Sequence, residues 1–338
     1  MMDFVDAEKT VLDELDRQLV QALMIDGRAS FSRLAGVLGV TDQTVTRRYR
    51  RLRTNGVMRV IGIPAAARVG LFQSRLRLQC VPGSASAVAD ALARRPDISW
   101  VAINAGGAEV ACMTRSRSRE ERDALLLHKL PRTRQVTAVS AQSILHSYIG
   151  GPIRWRGLDE LSEEQVRALE RPTPAGSGPV EFDEADRAML ALLARDGRTG
   201  YPDLARAAGR SESTMRRRLE QLREGGIVFY DVDVLPGSLG FFAEAALYVT
   251  VAPAALERAG LALASHAEVP FAAATTGSSN LFAVVLARDL TGLYEYMTRR
   301  IGEIEGVVQL EVVPVLRTVK HEGLLTDGNR LIDPPSPH

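Results

Sequence analysis

The chain contains the same unit twice. Residues 16–56 align with residues 186–226 without a gap, at a constant offset of 170, and fifteen of these forty-one positions are identical. Farther along the chain the offset becomes 171, where Pro82 and Gly106 align with Pro253 and Gly277. Two copies are too few for a solenoid, which needs at least three repeats. A duplicated unit predicts instead an intramolecular counterpart of a symmetric dimer.

Length and composition predict several folded domains. The chain has 338 residues, of which 46% are hydrophobic and 25% charged, which is typical of globular proteins rather than disordered ones. A stretch rich in Pro, Gly and Ser at 171–179 is predicted to be part of a linker, preceded by a short helix that Ser162 caps. The predicted boundaries are a helical domain at 11–60, an α+β domain at 70–150, a linker at 151–182, a second helical domain at 183–230, a second α+β domain at 240–320 and a tail at 326–338.

The positive charge is concentrated in the two helical domains. The net charge is only +1, yet residues 15–60 hold nine Arg against three Asp, and residues 185–230 hold nine Arg against six acidic residues. Only three lysines occur in the chain, so nearly all of this charge is arginine. The guanidinium fork donates paired hydrogen bonds that match phosphate. The two basic segments therefore indicate a polyanionic partner.

Each helical domain reads as three helices, of which the last two form a helix-turn-helix motif. In the first copy Ser30 precedes a short helix, Gly39 makes the turn, and Thr41 caps a third helix whose apolar residues are spaced to face inward. Polar and basic residues occupy the rest of that helix in both copies, and such side chains can bind base edges and phosphates in a major groove. The predicted DNA-binding residues are Thr41, Gln43, Thr44, Thr46, Arg47, Arg48, Arg50 and Arg51 in copy one, and Ser211, Ser213, Thr214, Arg216, Arg217 and Arg218 in copy two.

The remainder of each copy alternates strand and helix patterns. A short strand after each third helix, at 56–61 and 226–230, is expected to pair with its counterpart as a ribbon between the copies. The strand and helix signals at 245–316 then follow the order βαββαβ, and residues 73–146 repeat them. The predicted fold class is therefore α+β, a tandem repeat of a helix-turn-helix domain and a ferredoxin-like βαββαβ domain.

These motifs at these spacings resemble the Lrp/AsnC family of transcription regulators, over about residues 11–150 and 183–320. The resemblance implies a winged form of the helix-turn-helix domain, binding to double-stranded DNA, dimers or larger homo-oligomers formed through the second domain, and a small-molecule effector such as an amino acid. A cytoplasmic location is expected from the sequence itself, because the N-terminus lacks a signal pattern and two cysteines cannot form a disulfide framework. This chain departs from the family by carrying two units. One chain is therefore predicted to act as a pseudo-dimer, and unequal half-sites are expected because the two reading helices differ.

The family's sensing loop lies between the second and third strands of the α+β domain. It maps to Thr276, Gly277, Ser278, Ser279 and Asn280 in copy two, and to Gly106, Gly107 and Glu109 in copy one. Glycine permits close approach of the backbone to a ligand, and the hydroxyl and amide groups can hold polar atoms. The same residues are also typical of a plain hairpin turn. The second copy keeps more hydrogen-bonding side chains and is the favoured effector site.

Two alternatives remain besides a DNA-binding regulator. Some proteins similar to this family are sirohaem decarboxylases, which carry histidines near the second and third strands, but no histidine lies at 97–117 or 271–288 here. No common catalytic, metal-binding or nucleotide-binding motif is present either. The chain is therefore predicted not to be an enzyme, and to need neither a metal nor a cofactor. The other alternative is a sensing protein that has lost DNA binding. No apolar run is long enough to span a membrane, so no membrane partner is expected.

Overall fold

A computed structural model describes residues 12–130, 133–149, 155–171, 180, 182–322 and 324–333. Most of the linker stretch predicted at 171–179, and all of the tail after Asp333, lie outside these residues. Among the described residues, no helix is both long and apolar enough to cross a membrane.

The first copy consists of a three-helix domain, a strand of the ribbon, and a βαββαβ domain. Its elements, in chain order, are α1 (Glu14–Ile25), α2 (Phe31–Leu38), α3 (Asp42–Thr54), β1 (Met58–Pro64), β2 (Phe72–Cys80), α4 (Ala85–Ala93), β3 (Ile98–Asn104), β4 (Glu109–Ser116), α5 (Arg119–Asp123), β5 (Val136–Ile149) and, after the βαββαβ domain, α6 (Glu163–Leu169). The helix predicted after Ser162 is thus present and begins with a capping box between Ser162 and Gln165.

The second copy repeats this order. Its elements are α7 (Glu184–Leu193), α8 (Tyr201–Ala208), α9 (Glu212–Glu224), β6 (Val228–Val234), β7 (Ala243–Val251), α10 (Leu256–Ser265), β8 (Phe271–Thr275), β9 (Leu281–Ala287), α11 (Leu290–Glu295), β10 (Val307–His321), β11 (Leu324–Asp327) and β12 (Arg330–Ile332). The predicted fold class, a tandem α+β architecture, is confirmed.

Strands β1 and β6 pair antiparallel as the ribbon that the sequence predicts. Ile61 lies opposite Asp231 in this register. These two positions are also equivalent in the duplicated sequence, 170 residues apart. The pseudo-twofold axis that relates the copies therefore passes between them.

The two βαββαβ domains share one closed set of strands. The strand order is β10-β3-β4-β2-β5-β8-β9-β7, and β7 pairs again with β10. The closure depends on strand exchange, because β5 pairs with β2 of its own copy and then with β8 of the other copy, and β10 pairs with β7 and then with β3. Both strands are longer than their apolar patterns predict, since their second halves are buried only by the other copy.

The C-terminal segment departs from the sequence prediction. A tail was expected from 326, but β11 and β12 form a hairpin over 324–332. Leu324 and Leu331 are buried and pack against Ile61 and Ile63 of the ribbon. The Leu331 backbone N–H donates to the Gly56 carbonyl oxygen at 2.7 Å. The hairpin thus packs on the ribbon and on the residue that follows α3. The local sequence does not reveal these contacts, because they are distant along the chain.

Candidate DNA-binding face and central cavity

Each recognition helix is fixed by its cap and by its buried face. The Thr41 hydroxyl accepts the Thr44 backbone N–H ahead of α3, and the Ser211 hydroxyl accepts the Thr214 N–H ahead of α9. The inward-facing residues predicted from the spacing are buried in both helices; they are Val45, Tyr49 and Leu52, and Met215, Leu219 and Leu222. The opposite face of each helix is consequently presented to solvent.

The predicted DNA-binding residues fall into an exposed set and a paired set. The exposed set consists of Gln43, Arg47, Arg50, Ser213, Arg216 and Arg217, whereas Thr44, Thr46 and Thr214 are half-buried. The guanidinium carbon of Arg216 lies 4.2 Å from the centre of the Tyr201 ring. No ion pair holds Arg47, Arg50 or Arg217 within the part of the chain that the structure describes. These six side chains form the candidate reading face.

The paired set consists of Arg48, Arg51 and Arg218, which form ion pairs with carboxylates at the start of the first helix of each copy. Arg48 contacts Asp13 at 2.6 Å and Asp16 at 2.9 Å, and Arg51 also pairs with Asp16. In copy two, Arg218 pairs with Asp186 at 2.7 Å. These arginines join the recognition helix to the helix beneath it. Their predicted contact with DNA stays a prediction.

The predicted effector loop of copy two lies against strand β5 of copy one. The Thr276 hydroxyl accepts the Ser143 backbone N–H at 2.9 Å, and the Gln142 amide donates to the Ser279 hydroxyl at 2.9 Å. Asn280 bonds both the N–H and the carbonyl of Val251. Many of the polar groups that suggested a ligand site therefore form hydrogen bonds within the protein, to neighbouring strands. Gly277 has a φ of +104°, and a Cβ there would lie 3.2 Å from Gln142.

The corresponding loop of copy one has a similar position. Gly106 and Gly107 have positive φ, and a Cβ at either would meet no atom within 4 Å. Glu109 is 1% exposed and accepts hydrogen bonds from Arg77, Gln79 and Asn104. Arg77 also pairs with Glu311 of the other copy at 2.7 Å. Glu109 is thus part of the junction between the copies, and effector binding at either loop stays a prediction.

A cavity of about 700 Å³ lies between the ribbon and the shared strands. The ribbon contributes Ile61, Ile63, Phe229, Asp231 and Asp233, and the strands contribute Arg75, Trp100, Glu244, Phe271, Phe282 and His321. His146 and Trp155 also line it. The volume fits a drug-sized or larger ligand. The sequence did not reveal the cavity, because its walls come from both copies.

Arg75 is the most buried charged group of the cavity wall. It is 1% exposed, its Nε and Nη2 donate to the Tyr248 hydroxyl at 3.1 and 2.9 Å, and its guanidinium carbon lies 3.8 Å from the centre of the Phe282 ring. Within the described ranges no carboxylate pairs with it. A buried arginine without an anionic partner is a favourable anchor for a ligand carboxylate.

Acidic groups and a histidine line the same cavity. Burial raises the pKa of Asp231 to about 6 and also raises the pKa of Glu244. Burial works to lower the pKa of His321, but the nearby carboxylate of Asp233, 3.2 Å from Nδ1, and those of Glu244 and Glu322 outweigh it, so that pKa is raised. Oδ2 of Asp233 is buried without a hydrogen-bond partner. Burial thus raises the pKa of both carboxyl groups, and neighbouring carboxylates favour the protonated form of His321.

Comparison with solved structures corrects one prediction. The chain is similar to the siroheme decarboxylase NirDL, with a TM-score of 0.58 and 16% identity, over 91% of this chain and 93% of that one. Its complex with an iron-uroporphyrin III analogue matches equally, at 15% identity. An enzyme thus has this fold over its whole length. The prediction that the chain is not an enzyme is contradicted. It rested on histidines near the second and third strands, whereas His146 and His321 reach the cavity from the last strand of each βαββαβ domain.

Family models and relatives identify the unit that is repeated. The AsnC-type helix-turn-helix domain matches residues 12–53 and 182–223, and the Lrp/AsnC ligand binding domain matches residues 244–325. An uncharacterized HTH-type transcriptional regulator of Pyrococcus horikoshii is 33% identical over 148 residues, which are 44% of this chain and 93% of that protein. The regulatory protein AsnC of Escherichia coli is 30% identical over 146 residues, 41% of this chain and 96% of its own length. The chain belongs to the Lrp/AsnC family of regulators, with the family's unit present twice.

Proposed function

We propose that the chain is a sequence-specific DNA-binding regulator whose two helix-turn-helix domains read two half-sites as an intramolecular pseudo-dimer. One observation carries this proposal: two capped recognition helices, joined by one ribbon, each present unpaired arginines and small polar groups to solvent. The two recognition helices differ at equivalent positions of the repeat. Gln43, Thr46 and Arg50 in α3 correspond to Ser213, Arg216 and Glu220 in α9. The two half-sites are therefore expected to differ in sequence.

The experiment is selection of bound fragments from genomic DNA, followed by titration of salt on the selected operator. Each phosphate contact releases counterions, so the affinity is expected to fall steeply as salt rises. Arg206→Ala is the control variant and is expected to bind as the wild type does, because Arg206 is exposed, lies outside the reading face and pairs with Asp203. A flat response to salt, or no enrichment of any sequence, would contradict the proposal.

A small-molecule effector is the second part of the proposal. The loops at 276–280 and 106–109 are the sites that the family resemblance favours, and the central cavity is the larger space. The ribbon supports a role for the cavity, since Val60 and Val232 pack into the helical core, and Val232 also lines the cavity beside Ile61 and Asp231. A ligand there would press on the strand that directly follows each recognition helix. The effect of the small molecule on DNA binding distinguishes the two locations. Arg75→Met is expected to weaken that effect if the cavity is the site, and Gly277→Val if the loop at 276–280 is the site.

Catalysis in the cavity is a second candidate function. The whole-chain likeness to siroheme decarboxylase favours it, together with the unpaired Arg75 and the two histidines of the cavity wall. Arg75 would hold one carboxylate of a polycarboxylate substrate. When a second carboxylate leaves as CO₂, the electron pair of the broken C–C bond stays on carbon and takes a proton from His321, which Asp233 stabilises in the protonated form.

The test is anaerobic incubation of the purified protein with sirohaem, followed by mass spectrometry. A decarboxylase is expected to yield product that has lost CO₂, and His321→Gln to lose that activity while keeping the fold. Unchanged sirohaem, together with specific operator binding, would leave the regulator as the better account.

A further inference from the structure

The Asp-Gly-Arg turn that opens each helix-turn-helix motif contacts the other copy. Arg28 donates to the carbonyl oxygens of Gly197 and Thr199 at 2.8 and 3.1 Å. Arg198 donates to the carbonyl oxygens of Gly27 and Ala29 at 2.7 and 2.9 Å. The donors and acceptors occupy equivalent positions of the repeat, so the exchange is reciprocal across the pseudo-twofold axis.

Aromatic rings lie against both arginines, which are half-buried. The guanidinium carbon of Arg28 lies 5.0 Å from the centre of the Tyr201 ring, and that of Arg198 lies 4.6 Å from the centre of the Phe31 ring. Tyr201 and Phe31 are the first residues of α8 and α2. Each arginine therefore bonds the turn of the opposite domain and also stacks on the helix that follows it.

The aspartates of the same turns bind the recognition helices directly. Asp196 pairs with Arg53 near the end of α3 at 2.7 Å, and Asp26 pairs with Arg223 near the end of α9 at 3.4 Å. The carboxylate of Asp26 is fully buried. Asp26 also pairs with Arg171 at 2.8 Å and with Arg33 at 3.3 Å, so Arg223 is one of three arginines around this carboxylate. Each recognition helix is thus tied to the turn of the other copy.

The glycine of each turn lets the turns rest on the ribbon. A Cβ on Gly27 would lie 2.7 Å from Cβ of Tyr230, and a Cβ on Gly197 would lie 2.8 Å from the backbone carbon of Ile61. No side chain fits at either position. All three residues of the repeated turn therefore have an interdomain role: an ion pair, a close approach, and a bond to the opposite turn.

We propose that the two Asp-Gly-Arg turns form a latch that fixes the separation and orientation of the recognition helices, which makes Arg28 and Arg198 positioning residues for half-site spacing. The proposal rests on the proposed DNA-binding function. Neither arginine belongs to the candidate reading face. A rigid pair of helices binds two half-sites only at the matching spacing, whereas a loosened pair tolerates several spacings and loses affinity, because DNA must then order it.

The test uses the double variant Arg28→Gln/Arg198→Gln and two readouts. Spin labels at Thr54→Cys and Glu224→Cys, equivalent exposed positions at the ends of α3 and α9, report the distance between the helices without DNA. Cys80 and Cys112 are buried and compete little for the label. Operators with half-sites moved apart or together by one or two base pairs report spacing selectivity. Arg206→Gln is the control for loss of an arginine.

The latch predicts a narrow distance distribution in the wild type and a broad one in the double variant. It also predicts roughly tenfold weaker binding at the best spacing and a flattened preference among spacings. A narrow distribution in both proteins, with an unchanged spacing profile, would overturn it. If the glutamine pair fails to fold, Arg28→Lys/Arg198→Lys keeps the charge but removes the paired donors, and the same outcomes decide. Failure of the wild type to bind DNA would contradict the proposed function, while the distance measurement would still decide the latch.

Discussion

Replacement of Asp231 by asparagine is expected to stabilise the protein near neutral pH and to change little in acid. Asp231 lies at the centre of the ribbon, opposite Ile61, and faces the cavity. Burial raises its pKa from 3.8 to about 6. Above that pH the folded protein holds a buried carboxylate whose ionisation was easier in the unfolded chain, and a shift of this size corresponds to about 3 kcal/mol.

The sign follows from the direction of the shift. Below the unfolded pKa of 3.8, both states carry the proton and the buried site costs nothing from ionisation. The cost grows as the pH rises and is complete above the folded pKa of about 6. The backbone N–H of Val232 donates to Oδ1 of Asp231 at 2.8 Å, and asparagine keeps that acceptor. The substitution therefore removes the charge, keeps the Oδ1 acceptor and replaces the second oxygen by an amide NH₂ group.

Urea unfolding at about pH 7.5 and about pH 4 measures the effect. The gain in the free energy of unfolding should approach ~3 kcal/mol at the higher pH and shrink strongly at the lower one. Asp203→Asn is the matched control, because Asp203 is an exposed carboxylate that pairs with Arg206. Equal gains at the two pH values, or a loss at the higher one, would refute the reasoning.

The remaining predictions concern other parts of the fold. Arg47→Ala and Arg217→Ala should each weaken operator binding by about 1–3 kcal/mol in a fluorescence titration if they reach base edges, and equal losses on random DNA would mean phosphate contacts only. Gly277→Val should blunt the effector response and spare basal DNA binding, since valine disfavours a φ of +104° and presses on Gln142; titrations that match the wild type would exclude this loop as the site. Leu331→Ala should cost about 2–5 kcal/mol in urea unfolding, because it empties the contact between the hairpin and the ribbon, and a change within error would mean that the hairpin is dispensable.

The sequence predicted what depends on local pattern. The caps at Thr41 and Ser211, the buried faces of both recognition helices and the pairing of β1 with β6 all follow from spacing and from the repeat. The order of strands and helices in both α+β domains is likewise local, because each element buries one periodic face within its own copy.

The features that escaped prediction arise between the copies. The second halves of β5 and β10 are strands only because the other copy supplies their partners, and the cavity has walls from both. Neither His146 nor His321 belongs to a sequence motif, so the sequence did not indicate that they line a common cavity. The arginine exchange had one signal in the sequence, the identity of Asp-Gly-Arg in both copies, but arginines in a basic segment fit DNA recognition equally well, so the identity did not indicate a contact between the copies.

The most direct test of the central claim is a hydroxyl-radical footprint of the operator with the wild type, Arg47→Ala and Arg217→Ala. The wild type is expected to protect two unequal half-sites. Each variant is expected to lose protection chiefly at one half-site, and the two variants at opposite ones, because each arginine belongs to a different recognition helix of the same chain. Loss of the same half-site in both variants, or a single protected segment in the wild type, would contradict the pseudo-dimer.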